Sequence, residues 1–190
     1  MKLDGILPFA RQLVASALSP GDLAVDATIG NGHDTLFLAK LVGESGIVYG
    51  FDIQNEAIAN TTKRLLNDNL LERVTLFHKG HEQLRNNIPE DHHGKIKAAI
   101  FNLGYLPGGN KSIVTTPVTT ISAIEQLLEI MAPEGIIVLV IYHGHEEGAL
   151  ERDILLPFVK QIDQKAAHVL QYQFINQQNS PPFIIAIEKR

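Results

Sequence analysis

The chain contains no cysteine and no tryptophan, and aromatic residues make up only 6% of it. Without cysteine it can form no disulfide, no thiolate metal site and no covalent thiol adduct on a pyrimidine ring. No uncharged apolar run approaches the roughly 18 residues that a membrane-spanning helix needs. The opening Met1-Lys2-Leu3-Asp4-Gly5 leads into no secretory apolar core with a small-residue cleavage site. These absences lead us to expect a cytoplasmic protein with no membrane partner. Positive charge is also in short supply, with 16 Lys and Arg against 21 Asp and Glu for a net charge of −5. Binding to a nucleic acid depends on positive potential, so any such ligand must be met by a local patch. Lys111, Arg152, Lys160 and Lys165 are the candidates for it, although each taken alone reads as a solvated surface charge.

What is present is enough for one substantial core, since 45% of the 190 residues are apolar. We therefore expect one globular domain over residues 1–190. Apolar residues at helical spacing from Ile6 to Leu18, stopped by Pro20-Gly21, predict an opening helix. A short apolar run, Leu23 to Ala27, then enters Gly30-Asn31-Gly32 and a helical segment from Asp34 to Val42. The cycle repeats with a strand over 46–51, a helix over 56–67 and a strand over 74–78, and such alternation predicts a parallel sheet.

A fourth strand is predicted over 97–101, a Gly- and Pro-rich loop over 104–117, and a helix over 119–131 whose start is left open by the capping-box spacing of Ser122 and Glu125. The continuous apolar run 135–142 predicts a strand buried on both faces near the sheet centre. Leu150, Ile154, Phe158 and Ile162 mark a last helix, kinked at Pro157. Two closing strands, 169–175 and 182–188, joined by a polar loop, predict an antiparallel edge. The polar stretch 86–94 reads as a flexible insert.

The chemistry concentrates where predicted strands end. Asp26-Ala27-Thr28-Ile29-Gly30-Asn31-Gly32-His33-Asp34-Thr35 is followed by Asp52, just beyond the second strand. Glycines allow close backbone approach to a ligand, and an acid after the next strand can accept bonds from both hydroxyls of a ribose. A dinucleotide fold shares this much. Here, however, the third fingerprint glycine is replaced by Thr35, and S-adenosylmethionine (SAM), which has no pyrophosphate to cradle, suits the polar loop better. SAM is the expected cofactor, with an NAD-dependent oxidoreductase as the rival. Gln54 and His81, each just past a strand, fall where they can meet the same nucleoside.

Asn102-Leu103-Gly104-Tyr105, at the end of the fourth strand, resembles the Asn-Pro-Pro-Tyr motif of amino-group methyltransferases, with both prolines replaced. In that motif the Asn side chain and a main-chain carbonyl hold the amine while the aromatic ring stacks on a base, so the contribution is positioning. The plainer reading is an Asn-bearing turn followed by a packed Tyr. Tyr142-His143-Gly144-His145 follows the fifth strand. Two histidines on one face invite a metal, but Gly144 points to a loop and we expect no metal site. Substrate contact is the better role, with Tyr142 stacking and His143 bonding to the substrate or accepting a proton. Asn179, in the polar loop before Pro181-Pro182, is suited to reading a base edge.

Taken in order, Asp-Ala-Thr-x-Gly-Asn-Gly-His-Asp-Thr, Gly-Phe-Asp-x-Gln, Phe-Asn-Leu-Gly-Tyr-Leu-Pro-Gly-Gly, Tyr-His-Gly-His and Asn-x-Pro-Pro-Phe closely resemble a bacterial family long labelled "putative rRNA methylase". That family is associated with the final methylation of 5-aminomethyl-(2-thio)uridine at the tRNA wobble position. The resemblance implies a Rossmann-like class I SAM methyltransferase fold, with a mostly parallel seven-stranded sheet and an antiparallel C-terminal edge. It implies that Gly30, Asn31, His33, Asp34, Asp52 and Gln54 line the cofactor pocket, and we expect Asp26, Gly32, His81 and Asn102 to serve the cofactor with them. Gly104, Tyr105, Pro107, Tyr142, His143, His145 and Asn179 would face the target, with Asn102, Tyr105 and His143 catalytic. A homodimer acting on a tRNA anticodon stem-loop is implied as well. The expected reaction is in-line transfer of the SAM methyl to a neutral primary amine, oriented by Asn102, with the proton passing to His143 or water. The rivals are an rRNA N-methyltransferase, a small-molecule N-methyltransferase, which the acidic charge favours, and a SAM-binding module without turnover.

Overall fold

The computed structural model describes residues 2–106, 108–109 and 113–190. Seven strands form one sheet in the order β3-β2-β1-β4-β5-β7-β6. They are β1 (Leu23–Asp26), β2 (Ile47–Phe51), β3 (Val74–Phe77), β4 (Ile96–Leu103), β5 (Met131–Ile141), β6 (Ala167–Tyr172) and β7 (Phe183–Lys189). The first five run parallel, and β7 pairs antiparallel with both β5 and β6. The helices are α1 (Ile6–Ala17), α2 (His33–Val42), α3 (Asn55–Asn67), α4 (Leu84–Asn87), α5 (Pro117–Ile130) and α6 (Glu146–Lys160).

The central strands β1, β4 and β5 read as nearly continuous apolar runs because the sheet is buried there on both faces. On β5, Val138 and Val140 join the core shared with α1, α2 and α3, whereas Ile137, Leu139 and Ile141 join the core on the opposite face, shared with α4, α5 and α6. Such an α/β/α layering places the carboxyl ends of β1, β2, β4 and β5 along one edge. The strand order reverses between β1 and β4, where an open parallel sheet leaves a crevice for a ligand.

Several boundaries differ from those predicted. Strand β4 runs on to Leu103, so Asn102 is held within it and pairs in register with Val140. Helix α5 starts at Pro117, and its cap is Thr116, whose side chain accepts from the Thr119 N–H. Ser122 therefore lies inside the helix, because Pro at the first helical position fixes the start. The stretch 86–94 is no loose insert: Gly94 N–H donates to the Ile130 carbonyl at 2.6 Å, and His93 Nε2 lies 3.1 Å from the Ile88 carbonyl.

Helix α6 carries Pro157 inside it, but its buried face differs from the one predicted. Leu150 and Ile154 are exposed, while Glu151, Leu155 and Val159 are buried. A charged residue on the inner face disguised the pattern. Among the described residues, no helix is long and apolar enough to cross a membrane.

Candidate active site

Two adjoining cavities open along the carboxyl edge of the sheet. The first, of about 290 Å³, is lined by Asp52, Gln54 and His81 with apolar Phe51 and Ile53. The second, of about 640 Å³, is lined by Asn31, His33, Asp34, Tyr142, His143 and His145. Thr28, Gly30, Asn102, Gly104 and Tyr105 line both and form the wall between them. The residues predicted to serve the cofactor are thus divided between two spaces, and only Asp52, Gln54 and His81 are confined to the first.

The turn after β1 is built by mutual satisfaction of backbone and carboxylate. Gly30 N–H donates to Oδ2 of Asp52 at 2.9 Å, and Gln54 N–H donates to Oδ1 at 2.9 Å. Each carboxylate oxygen keeps acceptor capacity for a further donor, and Asp52 is half-buried at the cavity wall. His81 is 7% exposed. Its Nδ1 lies 3.0 Å from the Ala27 carbonyl, which fixes the proton on that nitrogen. Burial lowers its pKa and keeps the ring neutral, against smaller upward pulls from the Ala27 bond, Glu82 and Asp52. Its buried Nε2 is then an acceptor with no partner among the described residues. A cavity with a half-buried carboxylate at its wall, apolar walls and one buried acceptor awaiting a donor suits an adenosine, and so fits SAM.

On the shared wall, the Asn102 backbone N–H donates to Oγ1 of Thr28 at 2.7 Å, and its side-chain amide donates to Oδ2 of Asp34 at 2.8 Å. Tyr105 and Tyr142 are both exposed, at 41% and 37%. Burial raises the Tyr142 pKa, with Asp34 adding to it, so the phenol stays protonated.

Some predicted site residues serve from behind the cavities. Asp26 lines neither: it is wholly buried, accepting from Thr28 N–H at 3.2 Å and Thr35 Oγ1 at 2.6 Å. Burial, reinforced by Asp34, pushes its carboxyl up to about 7. Thr35, the residue that broke the glycine fingerprint, is thus the partner of this acid. Gly32 lines neither cavity either. Its φ is 75°, and an added Cβ would come within 2.5 Å of Thr61 Oγ1, so glycine is required there to pack α2 against α3. Asn179 is exposed and outside both cavities, where Ser180 lines the second instead. Pro107 and Lys111 lie outside the described residues.

His143 does line the second cavity, but both its nitrogens are in use. Nε2 lies 3.0 Å from the Pro181 carbonyl, and Nδ1 lies 3.1 Å from Nη1 of Arg152. A guanidinium can only donate, so it occupies the lone pair that a proton acceptor would need. The same two bonds leave no nitrogen for a metal. Among the described residues the basic candidates on α6 do not come together: Arg152 meets His143 at the cavity wall, whereas Lys160 lies eight residues further along the helix, about 12 Å of rise away.

Three residues at the site escaped the sequence reading. Arg11, on α1, pairs with Asp34 at 2.8 Å. Arg64, on α3, donates through Nε to the Asn31 carbonyl at 2.8 Å. Glu151 is buried beneath the loop after β4. No glycine turn or strand end marks any of them, and each reaches the site only through helix packing.

The strand order, the glycine turn after β1 and the carboxylate beyond β2 define a class I SAM-dependent methyltransferase. Over residues 48–188 the chain matches the family described as "Putative rRNA methylase", and it belongs to that family. It is similar to the chloroplastic tRNA (mnm(5)s(2)U34)-methyltransferase of Arabidopsis thaliana, with 36% identity over 180 residues. That match takes in 90% of this chain but 65% of the plant protein, so the chain spans just under two thirds of this relative's length. Among solved structures, a "putative rRNA-methylase" from Clostridium thermocellum is 46% identical, with a TM-score of 0.96 and 100% of both chains covered. A "putative methyltransferase" from Streptococcus mutans, solved in complex with SAH, is 38% identical, with a TM-score of 0.89 over 99% of each chain.

Proposed function

We propose that the chain transfers a methyl group from SAM to the primary amine of 5-aminomethyl-(2-thio)uridine at the wobble position of tRNA, giving the 5-methylaminomethyl product. The observation that carries this reading is the place of Asn102 on the wall shared by a nucleoside-sized cavity and a second, larger one. A donor held in the first and an acceptor held in the second meet at that residue. When bound, SAM supplies a methyl group activated by its sulfonium.

The residues of the chain do the positioning. Asp52 and His81 hold the nucleoside end, and Asn102 orients the amine so that its lone pair faces the methyl carbon. Tyr105 or Tyr142 offers an exposed ring on which a splayed-out base can stack. As the N–C bond forms, the C–S bond breaks and leaves a neutral thioether. The nitrogen then loses one proton, and because His143 is committed on both sides, water at the open face of the second cavity is its acceptor. An anticodon base already lies in a loop, so no duplex has to be opened. The plant relative's name supports tRNA as the substrate class. The reading includes a homodimer in the cytoplasm, which light scattering on the purified protein checks.

The test is transfer of labelled methyl from SAM into separated tRNA and rRNA lacking the modification, followed by nucleoside mass analysis. Label in 5-methylaminomethyl uridine of tRNA is the expected result. Label confined to rRNA overturns the choice of substrate. A second reading, a small-molecule N-methyltransferase, is favoured by the net charge of −5. It predicts that free 5-aminomethyluridine is methylated as well as the tRNA is.

A further inference from the structure

Asn102 can face an acceptor with either end of its amide, and the two ends have opposite chemistry. The oxygen accepts, the NH₂ donates, and the shapes are nearly equal. Its backbone is fixed by β4 and by the 2.7 Å bond to Thr28, so only rotation of the side-chain amide decides which end faces the substrate. That decision is made by Asp34. An ionised carboxylate can only accept, and its Oδ2 takes the Asn102 Nδ2 at 2.8 Å. Its other oxygen, Oδ1, is occupied by Arg11, whose Nε and Nη2 both lie 2.8 Å from it. Arg11 is itself held, with its guanidinium 5.4 Å from the centre of the Phe37 ring.

We infer that the Arg11–Asp34 pair is a positioning device that locks the Asn102 amide with its NH₂ end on Asp34, which leaves its oxygen to select an acceptor carrying N–H groups. This rests on the methyl-transfer reading above and goes further in naming what sets its selectivity. A target lacking a hydrogen, such as a tertiary amine or a ring nitrogen with only a lone pair, meets an oxygen and is disfavoured. Asp34 acts through Asn102, and Arg11 acts through Asp34. The pair also explains why an acid sits in the second cavity, away from Asp52.

The prediction that separates this from a cofactor-binding role uses Asp34→Asn. Arg11 demands an oxygen, so the new amide turns its NH₂ toward Asn102, which must rotate and present its own NH₂ to the substrate. Turnover at saturating SAM then falls on the order of 10²-fold, the usual cost of one misdirected polar group at a reacting centre. SAM affinity, measured by calorimetry, stays the same. Adding Arg11→Gln to that variant frees the amide at position 34 to turn back, and part of the turnover returns. Arg11→Gln alone lowers turnover less than Asp34→Asn does, because Asp34 still accepts from Asn102 but is no longer held by the guanidinium.

Hydrogen exchange of the Asn102 side-chain amide in a ¹⁵N-labelled sample reads the orientation without any substrate, so it decides the matter even if the RNA assignment fails. It is slow in the wild type, fast in Asp34→Asn and slow again in the double variant. Loss of SAM affinity with turnover retained at saturating SAM overturns the inference, as does equal exchange in the wild type and Asp34→Asn.

Discussion

Thr115 donates its hydroxyl proton to Glu151 at 2.6 Å while accepting the Gly104 N–H at 3.0 Å. Through this chain, a carboxylate on α6 holds the loop that carries Tyr105. The second Glu151 oxygen accepts from Thr120 of α5 at 2.7 Å, so one buried acid ties two helices and the loop after β4 together. Burial raises the Glu151 pKa, while the two threonine bonds and nearby His145 act in the opposite direction. Glu151→Ala strands two hydroxyls without an acceptor and costs roughly 2–4 kcal/mol of stability. Glu151→Gln keeps one acceptor and costs less. Chemical denaturation reads the difference, and an alanine variant as stable as the wild type would show that the loop is held elsewhere.

His81 offers a neutral, buried Nε2 to the first cavity. Replacing it with Phe keeps a flat ring of similar size but removes the acceptor. A hydrogen bond of this kind contributes about 1 kcal/mol, so SAM affinity should weaken roughly fivefold, with a smaller effect on turnover once the cofactor is saturating. Calorimetric titration with SAM and SAH measures it. Unchanged affinity would move the nucleoside's contacts to other walls.

Asp26 makes stability depend on pH in a direction opposite to that of a salt-bridged acid. Its carboxyl is raised to about 7 in the folded chain from an ordinary 3.8, chiefly by burial. Between those values the folded state holds a proton that the unfolded state has lost, so stability falls as pH rises through this window. The contribution is fully present below the ordinary value and gone above about 7. Asp26→Asn removes the buried charge and should gain stability relative to the wild type at pH 8, with the gain shrinking toward pH 5. Melting temperatures of both proteins across that range test the sign. A gain that grows on acidification would contradict it.

The parts of the site legible in the sequence are those made by strand ends. Glycines after β1, Asp52 after β2 and Asn102 in β4 stand where a continuous apolar run stops, and the chain supplies that signal locally. Gly32 and Asp26 carried the same signal for a different reason: one packs helices and the other is buried under the turn. A sequence pattern marks a special position without saying which neighbour demands it. Arg11, Glu151 and Arg64 were hidden because helices bring them from afar, and a charged residue at helical spacing normally reads as solvated surface. Glu151 also masked the inner face of α6, since Leu150 and Ile154 form the more apolar stripe and yet face solvent. The paired cavities could not be read at all, because they arise from packing between elements more than 70 residues apart, as in the Asn102–Thr28 bond.

Arg64 gives the RNA reading its most direct electrostatic test. Its Nε is used by the Asn31 carbonyl, its Nη2 lies 3.4 Å from His33 Nε2, and it has no ion pair with a carboxylate among the described residues. Arg11 and Arg152, by contrast, are each neutralised by an aspartate. An uncompensated guanidinium beside the second cavity suits a phosphate of the anticodon loop, which it can meet with paired donors. Arg64→Ala should raise the KM for a tRNA stem-loop and reduce the slope of log KM against log salt by about one phosphate contact. Arg64→Lys should keep the slope, because it keeps the charge, while losing part of the affinity. A free nucleoside has no phosphate, so its KM should not respond to either change. If instead the alanine variant shifts nucleoside and stem-loop equally, Arg64 acts by holding Asn31, and the phosphates are met somewhere else on the surface.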